Sequence, residues 1–153
     1  MMNEEDYNLL RLVNRSYEQW TGQPLPVPDR MANQRFRWLD EASPYALLVQ
    51  STEEEPLFIY ANQQAQRIFG YSLAEFLKTP ASKSAPLENL EGRRQMLQEV
   101  AKKGIFEGYQ GTRIDKQGNL FKITNGSIWK VMNSSDEVVG TAAMVWQDST
   151  SLG

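Results

Sequence analysis

Apolar residues recur at Leu10, Val13, Tyr17 and Trp20, the i, i+3, i+7, i+10 spacing of one stripe along an amphipathic helix. Asn3 is placed to cap this helix, Glu4, Glu5 and Asp6 fall in its first turn, where the helix dipole favours anions, and Gly22 stands at its stop. Pro24, Pro26 and Pro28 alternate through the next stretch and predict an extended connector rather than a core element. A second, short helix follows, capped by Asp29, with Met31, Arg35, Trp38 and Leu39 along one side, and ends at Ser43-Pro44.

From Tyr45 to Gln50 and from Leu57 to Ala61 the residues are mostly apolar and too few for buried helices, which predicts two strands joined by a tight acidic hairpin at Glu53 to Pro56. Asn62 then caps a short helix that carries Ala65, Ile68 and Phe69 and ends at Gly70. Ser72 to Glu75 reads as a capping box, with Tyr71 and Phe76 at the positions of a hydrophobic staple. A polar loop from Thr79 to Pro86 leads into a longer helix with Leu90, Leu97, Val100 and Ala101 on one face, closed by Lys102, Lys103 and Gly104. Tyr109–Ile114, Leu120–Val131 and Val138–Trp146 form a meander, its first turn marked by Gly118.

Two strands, a group of short helices, one longer helix and three more strands give an α+β order, in which one antiparallel sheet carries helices on a face. The division is a helical extension over residues 1–44, a sheet domain over 45–148 and a polar tail over 149–153.

Composition narrows the chemistry. The sequence contains neither cysteine nor histidine, so it has no thiolate nucleophile, no disulfide, no Ser-His-Asp triad, no His-ligated zinc and no proximal-His haem. A net charge of −3 argues against nucleic acid as the main partner, since that binding depends on Lys and Arg displacing counterions. No apolar run is long enough to span a bilayer and no basic, apolar leader opens the chain, so a cytoplasmic location without a membrane partner is expected.

The stretch Phe58 to Phe76, with Tyr60-Ala61-Asn62, Phe69-Gly70-Tyr71-Ser72 and an acidic helix start, resembles the PAS fold, as does the ending Val138-Val139-Gly140 to Asp148-Ser149-Thr150. A narrower resemblance runs along nearly the whole chain. Ser16-Tyr17 with Trp20-Thr21-Gly22, Tyr60-Ala61-Asn62, Gly108 to Ile114, Ile128-Trp129 and Gly140 to Ala143 are similar to the MEKHLA family, a PAS-related group. The resemblance implies a PAS-like five-stranded antiparallel sheet with short helices on one face and an N-terminal helical extension. It also implies a module proposed to sense light, oxygen or redox state. The missing cysteine removes a covalent flavin adduct, leaving a noncovalent flavin or a small organic molecule as ligand.

In such a fold the ligand lies between the sheet and the short helices, which makes Asn62, Phe69, Phe76, Met96, Val100, Ile123, Asn125, Ser127 and Met144 the pocket candidates. Strict alternation along Leu120–Val131 would place Phe121, Ile123, Asn125, Ser127 and Trp129 on one face. Asn125 and Ser127 then interrupt an apolar row, for which backbone or solvent bonding is the simpler account. Asn62 already has a complete role as a helix cap. Small residues at Gly140, Ala142 and Ala143 leave room for a ligand or for the long helix to pack closely. Arg93 and Arg94 could hold an anion but fit a solvated helix face, and Arg113 beside Tyr109 fits an exposed cross-strand position. Glu53, Glu54 and Glu55 are consecutive in a loop and do not converge as catalytic carboxylates must.

The expected function is therefore a stand-alone sensory module, not an enzyme, that binds a small molecule or a protein and signals in trans. The alternative is a ligand-free module that forms a homodimer through Leu10, Val13, Tyr17 and Trp20. Last comes a small enzyme with a carboxylate base at Asp40, Glu75 or Asp115, of which Glu75 is already committed to a cap and Asp115 to a turn. No metal site or catalytic residue is assigned.

Overall fold

A computed structural model describes residues 2–84 and 90–147, with side chains throughout except at 90–93. The polar tail, the ending Asp148-Ser149-Thr150, the far end of the Thr79–Pro86 loop and the side chains of Leu90 and Arg93 lie outside the described residues. The first helix, α1 (Glu4–Thr21), begins with the Asn3 side chain accepting from the Asp6 amide at 2.8 Å and ends at Gly22. Its stripe is spent on the protein's own sheet: Leu10 and Val13 are fully buried, and Ser16 joins them.

The connector is extended, yet Leu25 is buried in the core beside Leu10 and Leu39. Its amide donates to Asn14 Oδ1 at 2.9 Å and its carbonyl accepts from Arg35 at 3.1 Å, so hydrogen bonds compensate for the donors that the prolines lack. Asp29 does not cap a helix. It opens a 3-10 turn (Asp29–Gln34), and α2 (Arg35–Glu41) starts only after it.

Strands β1 (Ala46–Gln50) and β2 (Phe58–Ala61) pair antiparallel, joined by a longer loop than the expected tight hairpin, with Glu53, Glu54 and Glu55 exposed on it. Helices α3 (Gln63–Phe69) and α4 (Leu73–Phe76) meet at the Gly70–Ser72 corner. There the Ser72–Glu75 capping box is formed, and the rings of Tyr71 and Phe76 lie 5.1 Å apart. A 3-10 turn at Ala81–Ser84 precedes α5 (Leu90–Lys103). Strands β3 (Ile105–Ile114), β4 (Leu120–Met132) and β5 (Val138–Gln147) complete a five-stranded antiparallel sheet in the order β2-β1-β5-β4-β3.

Helices cover both faces. On the outer face α1 and α2 pack over Tyr45, Leu47, Val49, Trp129, Val131 and Met144. On the inner face α3, α4 and α5 pack over Leu48, Phe121, Ile123, Ile128 and Val145. Residues 4–41 thus share one core with the sheet.

Trp20 closes the far end of α1 by donating from Nε1 to the Lys130 carbonyl at 3.0 Å. Its ring lies against Gly104, where a Cβ would come within 2.6 Å of the indole and where φ is +93°. Glycine is required there on both counts. The end of α5 is thereby seated on the end of α1.

Candidate functional site

The site is decided by which face each strand residue reaches, and β4 changes faces part-way. Phe121 and Ile123 point inward, as alternation predicts. Asn125 then adopts φ +53°, and the β4–β5 pairing shifts between Thr124 and Ser127. Beyond this bulge Ile128 points inward and Trp129 outward. Gly126 sits inside the bulge because Tyr109 of β3 crosses so close that a Cβ would stand 2.9 Å from its own.

Three pocket candidates lie off the inner face. Asn125 is exposed on the bulge, and Ser127 pairs with Met144 on the outer face, where Met144 packs against the α1 side of the core. Trp129 leaves the inner row as well and donates its indole N–H to the Val13 carbonyl at 3.1 Å.

Asn62 is fully buried and committed to structure. Its Oδ1 accepts from the Leu47 and Ala65 amides, each at 3.0 Å, and its Nδ2 donates to the carbonyls of Leu39 at 2.8 Å and Tyr45 at 3.1 Å. A carboxamide has two acceptor sites and two donor hydrogens, and all four are used, which leaves nothing for a ligand.

The remaining candidates gather on the inner face. Phe69, Phe76 and Ile123 join Phe58 and Phe121 in one cluster, in which Phe69 contacts the rings of Phe76 and Phe121 edge-on at 5.9 and 5.1 Å. Met96 and Val100 of α5 pack on Ile128 and Ala143. Of the small residues on β5, Ala143 therefore meets α5, while the space beside Gly140 is taken by the Gln50 carbonyl and Val49 of β1 rather than by a helix.

Between these clusters lies a cavity of about 30 Å³, lined by Leu48, Phe58, Phe69, Met96 and Ile128 with Gln50, Ser84, Thr141 and Arg113. Arg113 is 9% exposed, where the sequence predicts an open cross-strand position. Its partner across the strands is Phe121, so it faces inward, and the guanidinium lies 5.8 Å from the centre of the Tyr109 ring. Nothing in residue type marks it as buried. The nearest sequence signal is that it shares the alternating row of Tyr109 on an edge strand. Arg94, by contrast, is exposed.

The three carboxylates considered as bases are engaged elsewhere. Glu75 holds the Ser72 amide and an ion pair with Lys116; that pair and the amide lower its pKa to about 2. Asp115 accepts from the amides of Gln117 and Asn119 in its turn. Asp40 accepts the Tyr60 hydroxyl at 2.7 Å on the α2 side of the core. Burial raises the Asp40 pKa and the Tyr60 bond opposes this, while Glu41 and Asp6 add like charge.

A raised carboxyl pKa means that the folded chain holds the proton more tightly than the unfolded one, so stability falls as pH rises through that window. Asp40→Asn retains an acceptor for Tyr60 and removes the charge. It is expected to raise the thermal midpoint above pH ~6, by up to about 1 kcal/mol of stability, and to leave it unchanged near pH ~3. Melting curves across that range check it.

No group of three or more potential ligands that could hold a metal occurs among the described residues, and none of the described helices is long and apolar enough to cross a membrane. The profile of the MEKHLA domain matches residues 7–149. The chain belongs to the MEKHLA domain family. No curated protein matches this MEKHLA domain, but many solved structures share its fold.

A PAS domain of a protein from Colwellia psychrerythraea superimposes with a TM-score of 0.68 at 16% identity, covering 79% of this chain and 99% of that one. A light-oxygen-voltage protein from Rhodobacter sphaeroides gives 0.62 at 15% identity, over 82% of this chain and 71% of that one. A light-oxygen-voltage domain studied with a flavin analogue gives 0.62 at 15% identity, over 79% and 89%. At these identities the likeness establishes the PAS fold, and the five-stranded order agrees with it.

The inner face of the MEKHLA domain leaves little room for a flavin, the group whose analogue was studied in one of these neighbours. Sites for ligands of that size enclose roughly 300–1,000 Å³. The cavity here is about 30 Å³, because Phe58, Phe69, Phe76 and Phe121 fill the space between sheet and helices. A flavin ring does not fit this packing, and no cysteine is present for an adduct.

Proposed function

We propose that this MEKHLA domain is a cytoplasmic, non-catalytic sensory module that holds a small molecule between its sheet and α3–α5 and signals to a partner protein. The observation that supports the reading is the inner cavity, polar on the side of Arg113 and apolar on the side of Phe58 and Phe69. Occupancy would favour one packing of α5 over another. The end of α5 bears on Trp20 through Gly104, and Lys130 Nζ donates to the Ala101 carbonyl at 2.9 Å, so a shift of α5 has a contact route to α1 on the outer surface.

A ligand-free dimer through the α1 stripe has less support, since Leu10 and Val13 are covered by the sheet, Tyr17 rests edge-on against Trp129 at 4.9 Å and Trp20 covers Gly104. Mass spectrometry of small molecules released from protein purified from its native host tests the sensory reading. One molecule released in stoichiometric amount is the expected result. Protein that releases none, and whose melting midpoint responds to no small molecule, overturns it.

A further inference from the structure

We infer that the inner cavity binds a short organic carboxylate, gripped by the guanidinium of Arg113; the inference rests on the sensory reading above and names its ligand class. Buried arginines are ordinarily paired, because an uncompensated charge in a low-dielectric interior is costly. Among the described residues Arg113 has no such pairing: no ion pair to it occurs, its Nε is buried without a hydrogen-bond partner, and Nη1 reaches Ser84 Oγ, at 3.4 Å. Tyr109 contributes a ring rather than a charge. Burial accordingly pulls the Arg113 pKa down.

The side chain is therefore a donor fork held inside the fold, lining the cavity, with capacity unspent. A carboxylate matches it, since two coplanar oxygens meet a planar guanidinium in paired charge-assisted bonds. Gln50 and Thr141 add polar lining, and Leu48 and Phe69 offer a surface for a short apolar body. A cavity of about 30 Å³ selects a small acid over a nucleotide.

The experiment follows the melting midpoint of the full chain with acetate and propionate at fixed ionic strength. Acetamide serves as the neutral match in shape, and chloride and inorganic phosphate as anion controls. Acetate or propionate is expected to raise the midpoint by about 5–10 °C at about 100-fold excess over Kd, and acetamide is not. Arg113→Met should abolish the response without lowering the midpoint of ligand-free protein, because it removes an unpaired buried charge. Arg113→Lys keeps the charge, loses the fork and should weaken binding by about tenfold or more.

A carboxylate response that survives Arg113→Met, or no response of the unaltered chain to either acid, overturns the inference. A response to phosphate alone, or an equal response to acetamide, overturns the carboxylate class and leaves the sensory reading standing. So does a neutral molecule recovered from natively purified protein. Loss of every small-molecule response, together with an empty native extract, removes both.

Discussion

Asn62→Asp is expected to destabilise the fold by about 3–5 kcal/mol at neutral pH, although Asp and Asn cap helices equally well. If Asn62 served only as the cap of α3, the exchange would be close to neutral. Its Nδ2 also donates to the carbonyls of Leu39 and Tyr45, which tie the end of α2 and the start of β1 to the β2–α3 corner. A carboxylate oxygen in that place meets two carbonyl oxygens in a fully buried site.

The introduced carboxyl would gain stability by taking up a proton, so its folded pKa would lie above its unfolded one. The loss should then be smallest in acid and grow as pH rises through that window. Asn62→Ala should cost about as much at every pH, because it leaves the Leu47 and Ala65 amides as well as the two carbonyls without their partner. Urea denaturation at several pH values measures both. Equal midpoints for Asn62→Asp and the unaltered chain at neutral pH would show that the cap is the whole role.

This corner also shows what the sequence carries. The caps at Asn3, Asn62 and Ser72 and the stop at Gly70 all depend on contacts within a few residues, and each is legible as a short pattern. The second half of Asn62's role is not, because Leu39 and Tyr45 lie 23 and 17 residues away. Arg113 is a similar case: an arginine on an edge strand reads as exposed until β3 is seen to turn it under Tyr109 and toward Ser84. The inner positions Phe69, Phe76, Met96, Val100 and Ile123 follow from local pattern, the first four on helices and Ile123 ahead of the bulge in its own strand. Ser127 and Met144 do not. One left-handed residue at Asn125 exchanges the faces of the rest of β4, and period-two reasoning carries no warning of it.

The face exchange makes Trp129 a decisive position. Trp129→Ala is expected to cost about 3–5 kcal/mol, the range for removing a large buried aromatic, against a total stability of roughly 5–15 kcal/mol for a domain of this kind. The side chain is fully buried, meets Tyr17 edge-on and bonds to Val13, so its loss should loosen α1 first. Had strict alternation held, Trp129 would face the cavity, and the same substitution would loosen α3 and α5 while leaving α1 in place. Hydrogen exchange separates the two outcomes: early loss of amide protection within α1 is expected, with α3 retaining protection nearer to that of the global fold. Trp129→Phe keeps a ring against Tyr17 and gives up the indole donor, for an expected cost of about 1 kcal/mol with α1 still protected. Protection lost first in α3 and α5 would instead place Trp129 on the inner face and return Ser127 and Met144 to the cavity.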